Sequence, residues 1–389
     1  MRRVVITGIG VVTPAGTTKQ IFFENIKKEQ SCFTYGDIYG EGISSQYVGK
    51  INEQLNFLPP RATKKLDKFS IYSLKAGTDA LRDSNIDPEN IDKSRVGVLV
   101  GNCYGGWEYV MPQLNGLYGS DGFDAINPYV ATAWFPTNPQ GELSIMHKIL
   151  GYSKTLSAGK LSSGLAIKHA VQIIKENKLD IVLAGGCEAP LTPLVYNALK
   201  EEGVISSNNS FNFVNGDQDG CLIGEGATFL ILEELEHAKK RNAEIYAEFS
   251  GYGMGQNLEE SMFNSLKESS LNPNFINHII MDASGKVRWD TEELEAINKV
   301  IINKRTNNKD VITSAPKTKF GNLFGAANAT DIAIATLFIK DAFTHAKQIN
   351  DKDFPSKTGK YLSANSSVMV NSRDYDGQSL SMIVSEYIE

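Results

Sequence analysis

The stretch most suited to chemistry lies at residues 157–170, which read SAGKLSSGLAIKHA. Small residues come first, then two serines and a glycine, and then an apolar run with helical spacing. This order is typical of a strand that turns sharply into a helix. Such a turn holds one side chain at the positive end of the helix dipole, where a nucleophile becomes reactive. The identity of that side chain therefore decides whether the turn can do chemistry.

Two hydroxyls, those of Ser162 and Ser163, are candidate nucleophiles at this turn. A serine needs a neighbouring general base, and no histidine lies near them in a matching motif. Helix capping or close packing is therefore the favoured role of both serines. The alternative is an acyltransferase or hydrolase that uses Ser162 or Ser163, and a serine-directed probe distinguishes the two.

The cysteines and glycines indicate neither a metal nor a nucleotide cofactor. Cys32, Cys103, Cys187 and Cys221 are scattered and form no CxxC or Cys/His metal spacing. Cys103 and Cys187 are expected to be small buried residues rather than reactive thiols. The glycine-rich stretch GIGVVTPAG (8–16) lacks the GxGxxG spacing, and no GxxxxGKS or GxxxxGKT loop occurs. No cofactor and no metal are predicted.

The composition is that of an ordinary globular protein, with 389 residues, 41% of them hydrophobic and 22% charged. A net charge of −6 without long basic runs argues against a nucleic-acid-binding or membrane-binding surface. No apolar run approaches the ~20 residues of a membrane span. The stretch MRRVVITGIGVVTPAG (1–16) suits a buried strand better than a targeting helix, and the few scattered cysteines favour a cytoplasmic protein.

A repeated pattern of β-branched run, glycine and helix indicates the fold class. Strands that end in glycine or another small residue are predicted at 3–10, 95–102, 179–186, 278–285 and 311–317. Helices are predicted at 70–84, 162–178 and 291–304. Continuous apolar strands that alternate with helices are typical of a layered α/β protein. A second kind of strand, at 226–235, 243–255 and 378–389, predicts that the sheets are mixed.

A charged run, EELEHAKKRNAE (233–244), separates the two parts of this pattern. Its i to i+4 pairs, such as Glu236 with Lys240, predict an exposed helix with a solvated face rather than a binding site. The length allows two or three domains or one duplicated core. We take the charged helix as the boundary between an N-terminal half, residues 1–240, and a C-terminal half, residues 241–389.

Three stretches, in order along nearly the whole chain, resemble one family: VVITGIGVVTPAG (4–16), DGCLIGEGATFLILEELEHAKKR (219–241) and PKTKFGNLFGAANATDIAIA (316–335). They are similar to the β-ketoacyl synthases of fatty-acid and polyketide synthesis. The resemblance implies an α/β fold of the thiolase type. Two similar halves that contain βαβαβ units would form a five-layered αβαβα core and assemble as a dimer.

Active members of that family need a cysteine nucleophile at the helix start and two histidines that assist decarboxylation of a malonyl unit. The matching positions carry other residues here: Leu161 replaces the cysteine, and Ser284 and Asn322 replace the histidines. The family's lysine is kept as Lys317, for which a structural role is expected and a residual catalytic role is the alternative. Because catalytic groups act as a unit, the resemblance implies that no residue of this chain is catalytic.

The gate near the C-terminal end of active members also differs in this chain. The segment NSRDYDGQS (371–379) stands where the family has flexible phenylalanine and glycine steps. Arg373 and Tyr375 are bulky and polar at this place. The resemblance therefore implies an altered gate for the acyl chain.

One branch of the family, the chain length factors of type II polyketide synthases, has this pattern of loss. The stretches NPYVATAWF (127–135), GGWEYVMPQLNGLY (105–118) and PKTKFGNL (316–323) resemble that branch. Membership implies a heterodimer with a catalytic ketosynthase subunit and a shared acyl carrier protein. A linear aryl-polyene or flexirubin-type product is favoured, and an aromatic polyketide stays open. A homodimeric module that binds acyl carrier proteins is the alternative from a different class.

The same resemblance implies that this chain lines part of its partner's acyl tunnel. On a helix that begins near Trp107, the residues at 107, 110 and 114 share one face, which selects Trp107, Val110 and Leu114. Thr132 is expected from a neighbouring strand. The alternative for Trp107 and Leu114 is core packing. Three aromatic residues are expected at the subunit interface: Tyr129, Trp134 and Phe135.

Overall fold

A computed structural model describes residues 2–28, 30–36, 46–87, 90–213, 216–307, 311–344, 360–361 and 366–389. The strands in these ranges are β1 (Val4–Val12), β2 (Thr34–Gly36), β3 (Gln46–Val48), β4 (Val96–Gly101), β5 (Ser153–Leu156), β6 (Ile181–Glu188), β7 (Gly226–Glu234), β8 (Ala247–Gly255), β9 (Ile276–Ile280), β10 (Ile312–Ser314), β11 (Phe343–Thr344), β12 (Lys360–Tyr361), β13 (Ser367–Arg373) and β14 (Ser379–Ser385). The α-helices are α1 (Lys19–Lys27), α2 (Pro60–Thr63), α3 (Lys68–Asp83), α4 (Trp107–Tyr118), α5 (Val130–Trp134), α6 (Asn138–His147), α7 (Ser162–Lys175), α8 (Pro193–Glu201), α9 (Leu235–Lys240), α10 (Leu258–Ser269), α11 (Val287–Val300) and α12 (Ala327–Lys340).

The main sheet consists of two five-stranded halves with the same plan. The strand order of the first half is β5-β4-β6-β7-β1, and that of the second is β10-β9-β13-β14-β8. In each half the first two strand pairs of that order are parallel and the last two are antiparallel. A short antiparallel contact between β1 and β8 joins the halves. The prediction of two similar halves with mixed sheets is thereby confirmed.

The helices form three layers around these two half-sheets. Helices α3 and α6 cover the outer face of the first half, and α10 and α11 cover the second. Helices α7 and α12 lie between the halves and pack on each other: α7 contacts strands of the first half, and α12 contacts strands of both. Residues 327–339 of α12 are all buried, as expected for a helix that is apolar on every side. The five-layered αβαβα arrangement is therefore present.

Strands in the centre of this arrangement are buried on both faces. All nine residues of β1 and all nine of β7 are buried, which explains why their sequences are continuously apolar rather than alternating. The strand predicted near residue 3 is thus present as β1. Among the described residues, no helix combines the length and the apolar character that a bilayer span requires.

The charged run at 233–244 differs from its prediction as one exposed helix. Its first two residues end β7 and are buried, and only Leu235–Lys240 form a helix. The carboxylate of Glu233 can stay buried because Arg241 Nη2 lies 2.7 Å from it. The ion pair of Glu236 is formed with Lys239, at 3.4 Å, rather than with Lys240. The boundary between residues 240 and 241 stays a prediction.

Candidate functional site

The predicted strand-to-helix turn is present between β5 and α7. A bridge between Ala158 and Lys160 closes the turn, and α7 begins at Ser162. Leu161 is the N-cap residue of α7, and its side chain is 2% exposed and packs in the apolar core between the two half-sheets. The positive end of the helix dipole therefore holds a hydrocarbon side chain without a nucleophilic atom.

The two serines of the turn are fully buried, and both hydroxyls bond to the backbone. Ser162 Oγ donates to the carbonyl of Gly159 at 2.7 Å and accepts from the amide of Ala158 at 2.9 Å. Ser163 Oγ accepts from the amide of Ala329, in the first turn of α12, at 3.1 Å. Neither serine is the N-cap residue. Their contacts are those of residues that pack and tie the turn to α12.

The two residues that were predicted to replace the family's histidines, Ser284 and Asn322, have side chains that bond locally. Ser284 Oγ donates to Asp290 Oδ1 at 2.8 Å and accepts from the amide of Lys286 at 3.1 Å. Asn322 Oδ1 accepts from the amide of Phe324 at 2.9 Å. A hydroxyl and a carboxamide do not titrate near neutral pH as an imidazole does. Neither position therefore supplies a proton carrier.

The retained lysine, Lys317, forms a buried ion pair. Its Nζ lies 2.8 Å from Asp331 Oδ2, and the two side chains are 2% and 1% exposed. Asp331 belongs to the central helix α12, so the pair ties the segment after β10 to the middle layer. This contact supports the structural role expected for Lys317.

A second buried ion pair, absent from the sequence predictions, lies next to Leu161. Lys160 Nζ lies 3.0 Å from each carboxylate oxygen of Asp282, and the side chains are 1% and 3% exposed. Lys160 precedes Leu161, and Asp282 lies two residues before Ser284. The pair therefore links the segments that contain Leu161 and Ser284. The sequence did contain one indication of this pair. Lys160 lies among small residues in a turn that was expected to be buried, and a buried lysine needs a partner of opposite charge.

Lys160, Asp282, Lys317 and Asp331 form what we call the ion-pair cluster, in which two cations face two carboxylates. Burial raises the pKa of Asp331, and the charge of Lys317 opposes that rise. Glu293 lies beside the cluster and accepts the amide of Asp282 at 2.9 Å. Burial raises the pKa of Glu293, and the charge of Asp282 adds to the effect. Each lysine of the cluster is paired with a carboxylate. The cluster therefore holds segments of the chain together rather than offering a free acid or base.

The thiols show no activation. All four cysteines are free, and burial raises the pKa of each thiol above its ordinary value. For Cys221, burial outweighs the nearby positive charge of Lys160 and raises the pKa to about 11. Cys187 is buried as expected, whereas Cys103 is partly exposed. In the part of the chain that the structure describes, no group of three or more metal-binding side chains could hold an ion.

The segment 373–378, which we call the gate loop, contacts the ion-pair cluster. Asp374 Oδ1 accepts from the amide of Lys160 at 3.0 Å. Lys160 Nζ lies 5.3 Å from the centre of the Tyr375 ring, which packs against Trp289 with 5.7 Å between ring centres. Arg373 Nη1 lies 2.6 Å from a carboxylate oxygen of Glu292. The gate loop is thus bound to the first half through residue 160 and to the second half through α11.

A cleft of about 600 Å³ opens beside the gate loop. We call it the aromatic cleft, and the walls used below are formed by Tyr104, Trp107, Leu194, Lys286, Trp289 and Tyr375. Its volume and its aromatic lining are within the usual range for a small-molecule site. Tyr375 belongs both to the cleft wall and to the contacts of Lys160, whereas Lys160 is not part of the cleft wall.

The predicted tunnel helix begins at Trp107, as expected, and is α4. Val110 is 7% exposed and is the buried residue of that helix, whereas Trp107 and Leu114 are partly buried. The ring of Trp107 packs edge-to-face on Trp134 with 6.0 Å between ring centres. Trp107 also packs against a buried apolar cluster, so the tunnel role of these residues and the core-packing alternative both stay open.

The expected position of Thr132 on a strand is wrong. Thr132 is exposed and lies in α5, where its Oγ1 donates to the carbonyl of Tyr129 at 3.0 Å. The helix forms because Asn127 starts a turn: its Oδ1 accepts the amide of Tyr129 at 2.8 Å and its carbonyl accepts that of Val130 at 3.0 Å.

The predicted interface residues are exposed aromatic side chains: Tyr129 is 41%, Trp134 38% and Phe135 51% exposed. The sequence predictions missed four apolar or aromatic residues in the same region that are more exposed than these three. They are Phe123 (88% exposed), Tyr118 (85%), Ile145 (75%) and Leu150 (74%). All seven lie within residues 118–150, from the last residue of α4 to the segment before β5, and β5 is the edge strand of the first half. We call this set the apolar face. Exposed edge strands and exposed apolar patches are features of surfaces that another chain covers.

Two family matches cover most of the chain. Residues 1–238 match the family described as beta-ketoacyl synthase, N-terminal domain. Residues 246–349 match beta-ketoacyl synthase, C-terminal domain.

Similar proteins include both fatty-acid and polyketide synthases. The 3-oxoacyl-(acyl-carrier-protein) synthase 2 of Vibrio cholerae is 26% identical over 87% of this chain and 86% of its own. The tetracenomycin polyketide synthase ketoacyl synthase beta subunit of Streptomyces glaucescens is 27% identical over 87% of this chain and 86% of its own. A solved type II polyketide synthase acyl-carrier protein in complex with its ketosynthase, bound to the hexaketide, contains a chain 25% identical to this one, with a TM-score of 0.76 and full coverage of both chains.

Proposed function

The chain belongs to the β-ketoacyl synthase family, and from this premise we propose that it is a non-catalytic chain length factor of a type II polyketide synthase. In this proposal it forms a heterodimer with an active ketosynthase and shapes the tunnel that sets the length of a polyketide or polyene. The polyketide synthase beta subunit among its relatives supports the proposal. Several other relatives carry the name of a 3-oxoacyl synthase, so the proposal depends on what this chain has at its own site.

The observation that carries the proposal is Leu161 at the N-terminus of α7. A ketosynthase reaction begins when a nucleophile at that position takes the acyl group from its thioester. A leucine side chain has no lone pair, and the hydroxyls of Ser162 and Ser163 are buried in backbone hydrogen bonds. The retained Lys317 is neutralised by Asp331. These contacts support the proposal that the turn before α7 offers no group to hold an acyl chain.

The apolar face supports a partner subunit. Side chains such as Phe123 and Tyr118, which are 88% and 85% exposed, carry a free-energy cost in water that burial against another chain removes. Tyr129, Trp134 and Phe135 would lie in this interface, where aromatic residues are enriched. We propose that the partner is a catalytic ketosynthase subunit, because a chain without a nucleophile gains a role in condensation only through a chain that has one.

The tunnel function is assigned to α4 and α5. Trp107, Val110 and Leu114 lie at spacings of three and four on α4, next to the helix that carries Thr132. In the proposed heterodimer these side chains limit the depth of the partner's acyl tunnel, because a closely packed wall stops growth sterically. The acyl carrier protein reaches the reaction through the complex, as in the related complex with a carrier protein, and the complex acts in the cytoplasm.

The test is reconstitution of the native chain with a cysteine-bearing ketosynthase from the same organism and malonyl-loaded carrier protein. We expect no condensation and no acyl adduct on the isolated chain, and elongation when both subunits are present. Changing the partner's nucleophilic cysteine to alanine should abolish elongation, whereas Ser163→Ala in this chain should leave it intact if the chain still folds. A covalent acyl or serine-probe adduct on the isolated chain would contradict the proposal and favour the hydrolase alternative. Carrier binding by a homodimer that never associates with a ketosynthase would favour the binding-module alternative.

A further inference from the structure

The residue before Leu161, Lys160, is held by Asp282 and lies against the ring of Tyr375, which lines the aromatic cleft. We propose that Lys160, Asp282 and Tyr375 form a plug that separates the aromatic cleft from Leu161, so that an acyl-pantetheine group entering the cleft stops at Tyr375. This inference rests on the proposed function and adds a second barrier, independent of the missing cysteine. It predicts that a cysteine restored at position 161 would stay out of reach of a thioester.

The inner part of the plug is the ion pair of Lys160 with Asp282. Both oxygens of the carboxylate contact Nζ at 3.0 Å, and the two side chains are 1% and 3% exposed. Movement of either side chain away from the other would leave a buried charge without its partner, which is strongly unfavourable. The pair therefore stays in place between the turn and the loop after β9.

The outer part of the plug is the ring of Tyr375. One side of the ring faces Lys160 Nζ at 5.3 Å, and Trp289 packs against it at 5.7 Å. The ring also lines the aromatic cleft, whereas Lys160 and Asp282 do not. A ligand in the cleft would meet Tyr375 before it met Lys160.

Contacts of the gate loop hold Tyr375 in this position. The preceding residue, Asp374, accepts the amide of Lys160 at 3.0 Å, and its own amide donates to the carbonyl of Gln378 at 2.8 Å. Arg373 is held by Glu292, with its guanidinium 5.1 Å from the centre of the Trp289 ring. Outward rotation of the gate loop would break contacts with both halves of the chain. These contacts hold the gate loop in one position, whereas a gate must be able to move.

The experiment introduces a thiol behind the plug and measures its accessibility. Leu161→Cys is made alone, with Tyr375→Ala, and with a matched control, Phe263→Ala, which removes an aromatic side chain that is 59% exposed on α10. The full-length variants are treated with bromoacetyl-pantetheine, and the labelling rate at position 161 is measured by peptide mass spectrometry. Labelling of the native Cys32, which is partly exposed, serves as the internal reference.

We expect the thiol introduced by Leu161→Cys to react at least about tenfold faster when Tyr375→Ala is also present, and no faster with Phe263→Ala. Equal rates in the single and the Tyr375→Ala variants would overturn the plug. Should Tyr375→Ala fail to fold, the inner part of the plug is tested with the paired variant Lys160→Ala with Asp282→Ala, which removes both charges together. An unchanged labelling rate at position 161 in that variant would overturn the proposal.

The outcome is separable from that of the proposed function. Rapid labelling of the Leu161→Cys variant would contradict the proposed plug. It would leave the proposed function intact, because the native chain still has leucine at position 161. Condensation by the native chain alone removes the proposed function, whatever the labelling rates are.

Discussion

The substitution Lys160→Met tests the energetics of the buried ion pair most directly. Methionine keeps the length and the apolar stem of lysine and removes its charge. The carboxylate of Asp282, 3% exposed, then loses the cation that contacts both of its oxygens at 3.0 Å. Because the Asp282 side chain is only 3% exposed, hydration compensates little of the loss.

The expected magnitude follows from the distance. Two unit charges 3.0 Å apart attract by about 5.5 kcal/mol at an effective dielectric constant of about 20. Breaking one partner of a buried pair costs about 3–5 kcal/mol in measured cases. Lys317 also interacts electrostatically with Asp282 and keeps part of the attraction. We therefore expect Lys160→Met to lower the free energy of unfolding by about 3 kcal/mol.

The double variant Lys160→Met with Asp282→Leu gives the decisive comparison. It removes both charges, with a leucine that is larger than the aspartate it replaces, and apolar replacement of both partners is close to neutral in other buried pairs. We expect the double variant to be more stable than Lys160→Met alone by about 2 kcal/mol or more. Urea unfolding followed by circular dichroism measures the difference. The matched control is Lys299→Met, which breaks an exposed pair with Glu259 (2.6 Å; 68% and 46% exposed) and should change stability by less than about 1 kcal/mol.

Two results would refute this reasoning. The first is a double variant whose loss of stability equals the sum of the losses of Lys160→Met and Asp282→Leu, since additivity means that the side chains do not interact. The second is a Lys160→Met variant no less stable than the Lys299→Met control. Either would show that water or another cation reaches Asp282 in solution.

Three further predictions concern other parts of the chain. Burial raises the pKa of Asp290 from 3.8 to about 6, so the folded chain binds this proton more tightly than the unfolded chain and loses stability as the pH rises through that range. Asp290→Asn should therefore raise the free energy of unfolding by up to about 3 kcal/mol at pH ~8 and change it little at pH ~4, measured by urea unfolding at both pH values. In Gly101→Ala the new methyl group would lie 2.3 Å from the backbone at the start of α7, so we expect the free energy of unfolding to fall by about 1–3 kcal/mol in the same assay. The control Gly141→Ala, whose methyl group would have nothing within 4 Å, should be tolerated. Phe123→Asp places a charge on the apolar face and should weaken association with the ketosynthase partner at least about tenfold, measured by calorimetry. Phe275→Asp, outside that face, should leave the association unchanged, and equal effects of the two variants would argue against the proposed interface.

Local patterns in the sequence were enough for most of the secondary structure. The run predicted at 3–10 is β1, and the helix predicted at 162–178 is α7, which ends three residues earlier. These predictions succeed because the spacing of apolar residues is set by which face of an element is buried, and that spacing is visible within a few residues. The chemical identity of the side chain at the turn, Leu161, is also a property of the sequence alone. No fold could give that side chain a nucleophilic atom.

Only the tertiary structure decided which charges meet. Lys160 and Asp282 are 122 residues apart, and nothing near either one indicates the other. For Glu233, whose ion-pair partner Arg241 is nearby in the sequence, the fold decided only that the residue ends β7 and is buried rather than lying on an exposed helix. The cost of burying a charge depends on a partner that the strand order brings close, often from the other half of the chain. A local pattern contains no information about that partner, so the side chains that surround the candidate site follow from the topology and not from the spacing of residues.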